Sequence, residues 1–336
     1  MAKKKLRKIR FRKRTAVSDT NTSNSTTGAQ TGQSHDNKEH KSKILSFFDK
    51  NYKALLIIPF LLLVLALGQI IYQTITTGYF MHRGISLKGG TIITVPITSA
   101  IDVNDFRAFL EKDFAGHEIS TKTITNAGIL SSIIVETDIT DSEDINKLTA
   151  DIEEYTKTDK AKYGVEITGP SLGSSFFKQL SLAIVFAFLF MGVVVLLYFR
   201  TVVPSSAVIL AAFSDIAVTL AVVNVLGIKL SSAGIAGFLM LIGYSIDTDI
   251  LLSTNVLKRK DDTIFNRTLR AAKTGLTMSI TTITAVTLGL IFSKSEVLSQ
   301  IMTIVLIGLL VDLINTWIQN VGILRWYVEK KEKQKE

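Results

Sequence analysis

The chain has 336 residues, 47% of them apolar and only 20% charged, with a mean hydropathy of +0.33, which is too apolar for a pair of ordinary soluble domains and points to a membrane protein. With no cysteine, a disulfide framework, a thiol nucleophile, a thiolate zinc site and an iron–sulfur cluster are excluded. His35, His40, His82 and His117 all lie outside the apolar runs, so no histidine relay crosses a membrane, and neither a metal site nor a cofactor is expected.

Residues 1–53 open with a Lys/Arg run from Lys3 to Arg14 and continue through a Ser/Thr/Asn/Gly stretch, the composition of a disordered basic tail. Residues 54–75 then carry no charge, and at ~1.5 Å per residue this length crosses a ~30 Å hydrocarbon core. Five further apolar runs, 180–199, 202–226, 230–252, 274–292 and 301–324, bring the predicted spans to six.

The formal charge of +9 would suit nucleic acid in a soluble protein, but here the basic residues flank the spans. The N-terminal tail, Arg200, the loop with Lys258, Arg259, Lys260, Arg267 and Arg270, and the tail 326–336 share one side if spans alternate; the opposite loops hold only Lys229 and Lys294. The positive-inside rule therefore places both termini in the cytoplasm. Segment 76–178 falls outside, with fifteen acids against ten bases.

Within that segment, 85–97 reads as a strand interrupted by Gly89 and Gly90, and 103–114 as a helix behind an Asp102 cap. Two strands, 118–125 and 130–140, meet at Asn126-Ala127-Gly128, a hairpin turn. Ile145, Leu148, Ile152 and Tyr155 make a second amphipathic helix begun at Asp141-Ser142, and 163–168 closes as a strand. The order βαββαβ predicts a ferredoxin-like α+β domain, extracytoplasmic, between the first and second of six transmembrane helices.

Four carboxylates interrupt the apolar runs: Asp215, Asp247, Asp249 and Asp312. An acid within the bilayer costs several kcal/mol unless paired or protonated, so each is a candidate functional residue. Asp215 and Asp312 fall near the midplane, Asp247 is shallower and Asp249 shallower still. Two residues make ~200° of helix, so Asp247 and Asp249 face different neighbours. Ala207, Ala211, Asp215 and Thr219 form a small and polar stripe that admits another helix closely. Asp312, Asn315 and Gln319 make one polar face of the last span, and Thr277, Thr281 and Thr284 a threonine stripe in the fifth. Lys273, at the cytoplasmic start of that span, by itself also suits a lysine snorkelling to the interface.

The stretch Gly84-Ile85-Ser86-Leu87-Lys88-Gly89-Gly90-Thr91 resembles the Gly-Ile-Asp-Phe-x-Gly-Gly-Thr signature of the SecF subunit of protein-export machinery. Asp215 precedes Gly243-Tyr244-Ser245 by 28 residues, as the third-span aspartate precedes that family's Gly-Tyr-Ser, and Lys273-Thr274-Gly275-Leu276-Thr277 is similar to its Arg-Thr-x-Leu-Thr. The resemblance covers about residues 54–325, and Gly-Tyr-Ser-Ile-Asp-Thr-Asp is most similar to the archaeal branch. It implies a non-enzymatic subunit working with SecD beside the SecY-type translocon, on unfolded exported chain, with proton entry driving the outer domains. The family's proton-coupling residues carry over to Asp247 or Asp249 and to Lys273, although Asn-Asp-Thr has become Asp247-Thr248-Asp249, Arg has become Lys273 and the first-motif Asp is Ser86.

Depth favours an Asp247–Lys273 ion pair broken by protonation, with Asp215 protonatable behind it. Rival readings are a stand-alone exporter half of the resistance-nodulation-division type and a translocon subunit without proton use. An intramembrane aspartyl protease is disfavoured because Ser214-Asp215 and Ser245-Ile246-Asp247 lack that class's Tyr-Asp and Gly-x-Gly-Asp contexts. There is no Walker loop. The basic tail suits anionic membrane lipid, with no specific nucleic acid expected as partner.

Overall fold

Six helices are long and apolar enough to cross a membrane, and a small four-stranded sheet stands between the first and second of them. The computed structural model describes residues 51–97, 101–126, 129–258, 263–293 and 295–334. The expected basic tail up to Lys50, the hairpin positions Ala127 and Gly128 and the tip of the basic loop lie outside the described residues.

Helix α1 (Ile57–Thr77) stops at Gly78, whose left-handed φ of +76° lets its N–H reach the Thr74 carbonyl. The chain leaving it is sewn to a distant loop: Leu230 N–H donates to His82 O and Gly84 N–H donates to Leu230 O, both at 2.7 Å. The expected strand over 85–97 is divided. Ile85–Lys88 is a short helix, α2, and β1 (Gly90–Pro96) starts only after it. The division falls at the glycine pair: Gly89, at φ +95°, closes the short helix, and β1 opens on Gly90 at φ +140°. The interruption expected at Gly89 and Gly90 is a change from helix to strand, so only the part from Gly90 onward is a strand.

Helix α3 (Val103–Asp113) is capped by the Asp102 side chain, which accepts from the N–H groups of Asn104 and Asp105. Strands β2 (Ile119–Asn126) and β3 (Ile129–Thr137) follow, then α4 (Ser142–Thr156) behind an Asp141 cap, and β4 (Gly164–Thr168). The sheet order is β2-β3-β1-β4 and every neighbouring pair is antiparallel. Both helices cover one face, where Ile93, Val95, Phe106, Leu110, Ile133, Val135, Leu148 and Ile152 are fully buried. Each such side chain contributes about 1.5–3 kcal/mol, enough to give this unit a core of its own.

The other face of the sheet looks onto the helix ends. A cavity of about 580 Å³ lies there, lined by Ile92, Thr94, Glu136, Lys229 and Glu296 among others. Ion pairs tie its walls: Lys122 Nζ donates to Glu136 at 2.5 Å and to Glu296 at 2.8 Å, and Glu118 accepts from Lys88 at 2.7 Å and from Lys229. The hydrogen bond from Lys229, followed by that from Lys88, holds the Glu118 carboxyl down to about 2 from its usual 4.5. A depressed folded pKa stabilises above the unfolded value and is lost as pH falls through the folded one, so this tether weakens from pH 4.5 down to about 2. Glu118 is partly solvated, so the effect is local. We expect amide exchange at Leu230 to rise in that window relative to the Lys229→Met variant, which is already loose at neutral pH; identical exchange in both proteins at neutral pH would argue against the tether.

The remaining helices are α5 (Pro170–Phe199), α6 (Val202–Val225), α7 (Ser232–Lys258), α8 (Ile264–Phe292) and α9 (Glu296–Ile314). A π-helical segment, Asn315–Asn320, links α9 without interruption to α10 (Val321–Lys333). Helices α5 and α8 each begin ten residues before their apolar runs, in stretches that mix polar and apolar residues. In α8 that extension buries Arg267, whose Nη1 donates to the Val256 carbonyl near the end of α7 at 2.9 Å. Helices α6 and α7 are the most enclosed of the spans, and α5 and α8 the least.

Candidate functional site

Small residues let the central helices come together. Ala207, Ala211, Asp215 and Thr219, the expected stripe of α6, are all buried to 1% exposure or less. On α9, a Cβ at Gly308 would stand 2.4 Å from the Leu241 side chain of α7, and one at Gly237 would press Ile304, so these glycines make room for side chains of the facing helix and let α7 and α9 pack closely.

Where α6, α7 and α9 meet, Asp215, Asp249 and Asp312 are each fully buried. Asp215 accepts from Ser245 Oγ at 2.5 Å and from Asn315 Nδ2 at 2.8 Å. Asp249 accepts from Asn320 Nδ2 at 2.7 Å, and Thr316 Oγ1 stands 3.0 Å from the same oxygen. Thr316 Oγ1 is also 2.9 Å from Asp312 Oδ1, and Thr248 Oγ1 is 3.3 Å from Asp312 Oδ2. Among the described residues, no ion pair reaches any of the three carboxyls. Three buried carboxyls with hydroxyl and amide donors, and no cation beside them among the described residues, are costly to keep charged in a membrane interior.

The π segment lies directly beside this cluster, and Asn315, Thr316, Gln319 and Asn320 are all fully buried within it. A stretch of i→i+5 bonding in an otherwise regular helix is a common companion of functional sites. Gln319 Nε2 donates to Ser214 Oγ at 3.2 Å, which extends the polar seam along α6.

The structure sorts the candidates from the sequence into three groups. Asp215, Ser245, Asp249 and Asp312 converge. Asp247, Gly243, Lys273, Thr274 and Thr277 are exposed on the outward surfaces of α7 and α8, with Tyr244 half-buried beside them. The expected Asp247–Lys273 ion pair is not formed among the described residues, because α7 turns Asp247 outward and Asp249 inward. The threonines at 277, 281 and 284 satisfy their hydroxyls on their own helix, at the carbonyls of Lys273, Thr277 and Ile280.

The third group is the first motif, whose roles are architectural. A Cβ at Gly84 would meet Leu230 O at 3.1 Å, one at Gly89 would meet Pro170 at 2.5 Å, and one at Gly90 would meet Thr137 O at 2.2 Å. Thr91 Oγ1 donates to Ile139 O at 2.6 Å, and Ser86 Oγ accepts from Ser232 N–H at the head of α7. Thr248, Thr316 and Asn320 were not among the candidates. The last two stand at i+4 and i+8 from Asp312, the second half of the stripe that Asn315 and Gln319 had marked at i+3 and i+7.

Residues 147–330 match the family described as protein export membrane protein SecD/SecF, C-terminal. The protein-export membrane protein SecF of Methanocaldococcus jannaschii is 38% identical over 294 residues, 85% of this chain and 99% of that one. The SecF of Pyrococcus furiosus is 35% identical over 292 residues, covering 87% of this chain and 96% of its own. Among solved structures, the SecDF of Thermus thermophilus, described as a translocon-associated membrane protein, superposes with a TM-score of 0.65 at 21% identity; the match covers 83% of this chain and 38% of that longer one. With identity at this level running nearly end to end along known SecF chains, and the fold shared with SecDF, this multi-pass membrane protein belongs to the SecF family of protein-export membrane proteins.

Proposed function

We propose that the chain is the SecF half of a SecD–SecF pair that promotes export through a SecY-type channel at the expense of the proton gradient. The observation that carries the proton reading is the buried Asp215–Asp249–Asp312 cluster with hydroxyl and amide partners alone. A charge-free hydrogen-bonded network would do as packing glue; three acids without a cation respond to protons.

The reading of SecD as partner rests on the outward face. Asp247, Gly243, Lys273, Thr274 and Thr277 lie exposed on two apolar helices, and a carboxylate and an ammonium facing lipid are costly unless another membrane protein covers them. In this reading Asp247 and Lys273 find their partners on SecD rather than on each other. The sheet unit, with the strand order of a ferredoxin-like sandwich, stands on the extracytoplasmic side and meets emerging unfolded chain, while both termini are cytoplasmic and contact anionic lipid. The subunit is not an enzyme and needs no cofactor.

Because the chain has no cysteine, a single Gly243→Cys or Thr281→Cys replacement gives a crosslinking probe without background. Labelled with a thiol-reactive photo-crosslinker in native membranes, either probe is expected to form a covalent adduct with a SecD-type six-span protein on illumination. Adducts only with a second copy of this chain would favour a stand-alone exporter.

A further inference from the structure

The face of the sheet turned away from α3 and α4 carries two acids in one row. Register sets Glu136 of β3 opposite Ile92 of β1, and Ile92 opposite Glu166 of β4, so the three side chains stand on the same face. Two strand spacings separate the backbones of Glu136 and Glu166 by about 10 Å, with Ile92 between them. Both acids line the cavity of about 580 Å³ between the sheet and the ends of α7 and α9.

Their carboxyls are not fully used within the protein. Glu136 is only 5% exposed, and Lys122 donates to its Oε1 at 2.5 Å, whereas its Oε2 is buried with no hydrogen-bond partner. Among the described residues Glu166 makes neither a hydrogen bond nor an ion pair. The nearby cations are already engaged: Lys122 also donates to Glu296, and Lys88 and Lys229 both donate to Glu118. One ammonium at Lys122 thus faces two carboxylates and Glu166 adds a third, which leaves this side of the cavity with an excess of negative charge. A buried carboxylate oxygen without a donor costs free energy until a donor arrives.

The rest of the lining is largely apolar, with Ile124 and Ile134 from the sheet, Ala236 from α7, and Val297 and Ile301 from α9. The volume falls within the roughly 300–1,000 Å³ of small-ligand sites. Two acids above apolar walls select a cation on an aliphatic stem. A guanidinium is always charged and its donors fan out in opposite directions, so one edge serves Glu136 Oε2 and the other Glu166, while the methylenes lie along the apolar wall. An ammonium is a point charge and suits one acid at a time. Among the described residues no trio of His, Asp or Glu side chains is arranged to hold a metal ion, which disfavours an inorganic cation.

We propose that this cavity receives an arginine side chain of the exported chain, its guanidinium held between Glu136 and Glu166. The cation site follows from the register and the unpartnered oxygen. The exported chain as the source of the cation rests on the reading above, in which the sheet unit meets emerging polypeptide.

The test uses the full-length chain in nanodiscs of zwitterionic lipid, so that a basic peptide is not drawn to the bilayer by charge. The probe is a short, fluorescently labelled glycine–serine peptide with one arginine between two leucines, compared by anisotropy with the same peptide carrying citrulline, the neutral counterpart of arginine. We expect the citrulline peptide to bind about tenfold more weakly, and Glu166→Gln to weaken the arginine peptide to about the same extent. Glu166 is exposed and holds nothing else, so this variant keeps the fold. Ala236→Leu, which fills the cavity from α7 and leaves both acids in place, should abolish binding. Equal binding of the two peptides, or arginine-peptide binding that Glu166→Gln and Ala236→Leu leave unchanged, would overturn the proposal. So would calcium that binds in place of the peptide, which would identify an inorganic cation instead. A photo-crosslinker on Ser232→Cys, at the cavity wall, should label a chain arrested during export in membrane vesicles. Selective arginine-peptide binding without any such adduct would uphold the cation site and reject the exported chain as its occupant.

Discussion

Replacing Gly90 with alanine should reduce the folded fraction more than any other single-methyl change in the first motif. Two costs coincide at this position. Its φ of +140° is one that side chains rarely adopt, worth about 1–2 kcal/mol. The added Cβ would lie 2.2 Å from the Thr137 carbonyl, which is held in the β1–β3 ladder and cannot retreat, adding about 1–3 kcal/mol of overpacking. We expect a loss of about 2–5 kcal/mol, read as a lowered midpoint of thermal unfolding in detergent. Gly116→Ala is the control. Gly116 also has positive φ, at +107°, but nothing lies within 4 Å of its Cβ position, so only the backbone term remains. Equal effects at the two positions would show that the close approach of β1 to β3 is not what requires glycine.

Exchanging the two neighbouring acids of α7 for amides should separate the two functions assigned to that helix. Asp249→Asn removes a carboxylate that accepts from Asn320 and Thr316 within the buried seam. Export in membrane vesicles should then proceed at the rate of a collapsed proton gradient, and adding the gradient should not restore it. Asp247→Asn leaves the seam untouched, since Asp247 is exposed. The expected loss there is in recovery of the SecD-type partner, with the gradient response of the remaining complexes preserved. If Asp247→Asn abolished the gradient response while Asp249→Asn retained it, the buried cluster would not be the coupling site.

These two acids also mark where reading along the chain gives way to packing. Asp247 and Asp249 lie two residues apart, at opposite sides of one helix, and depth alone favoured Asp247 as the partner of Lys273. The choice is made by which face of α7 receives α6 and α9, and that depends on Gly237, Gly308 and Leu241 fitting together across helices. Similarly, Asn315 and Gln319 were visible as a polar stripe below Asp312. Thr316 and Asn320 belong to the site because α7 brings Asp249 against the other half of that stripe.

What the sequence determined by itself follows from solvent and local geometry. Six apolar runs of sufficient length and the caps at Asp102 and Asp141 are properties of short segments, and the corresponding helices are all present. Helix ends were legible only where hydrocarbon ends: α5 and α8 run ten residues further because a polar turn satisfies its backbone as well as an apolar one. The strand expected over 85–97 holds from Gly90 onward, whereas Ile85–Lys88, before the expected interruption at Gly89 and Gly90, is helical, and the close approach of Pro170 and Thr137 to the two glycines is not recorded in any hydrophobic pattern. Tertiary structure alone decided which carboxyls share a buried polar seam, because the energy of a buried acid is set by the donors that other helices bring to it.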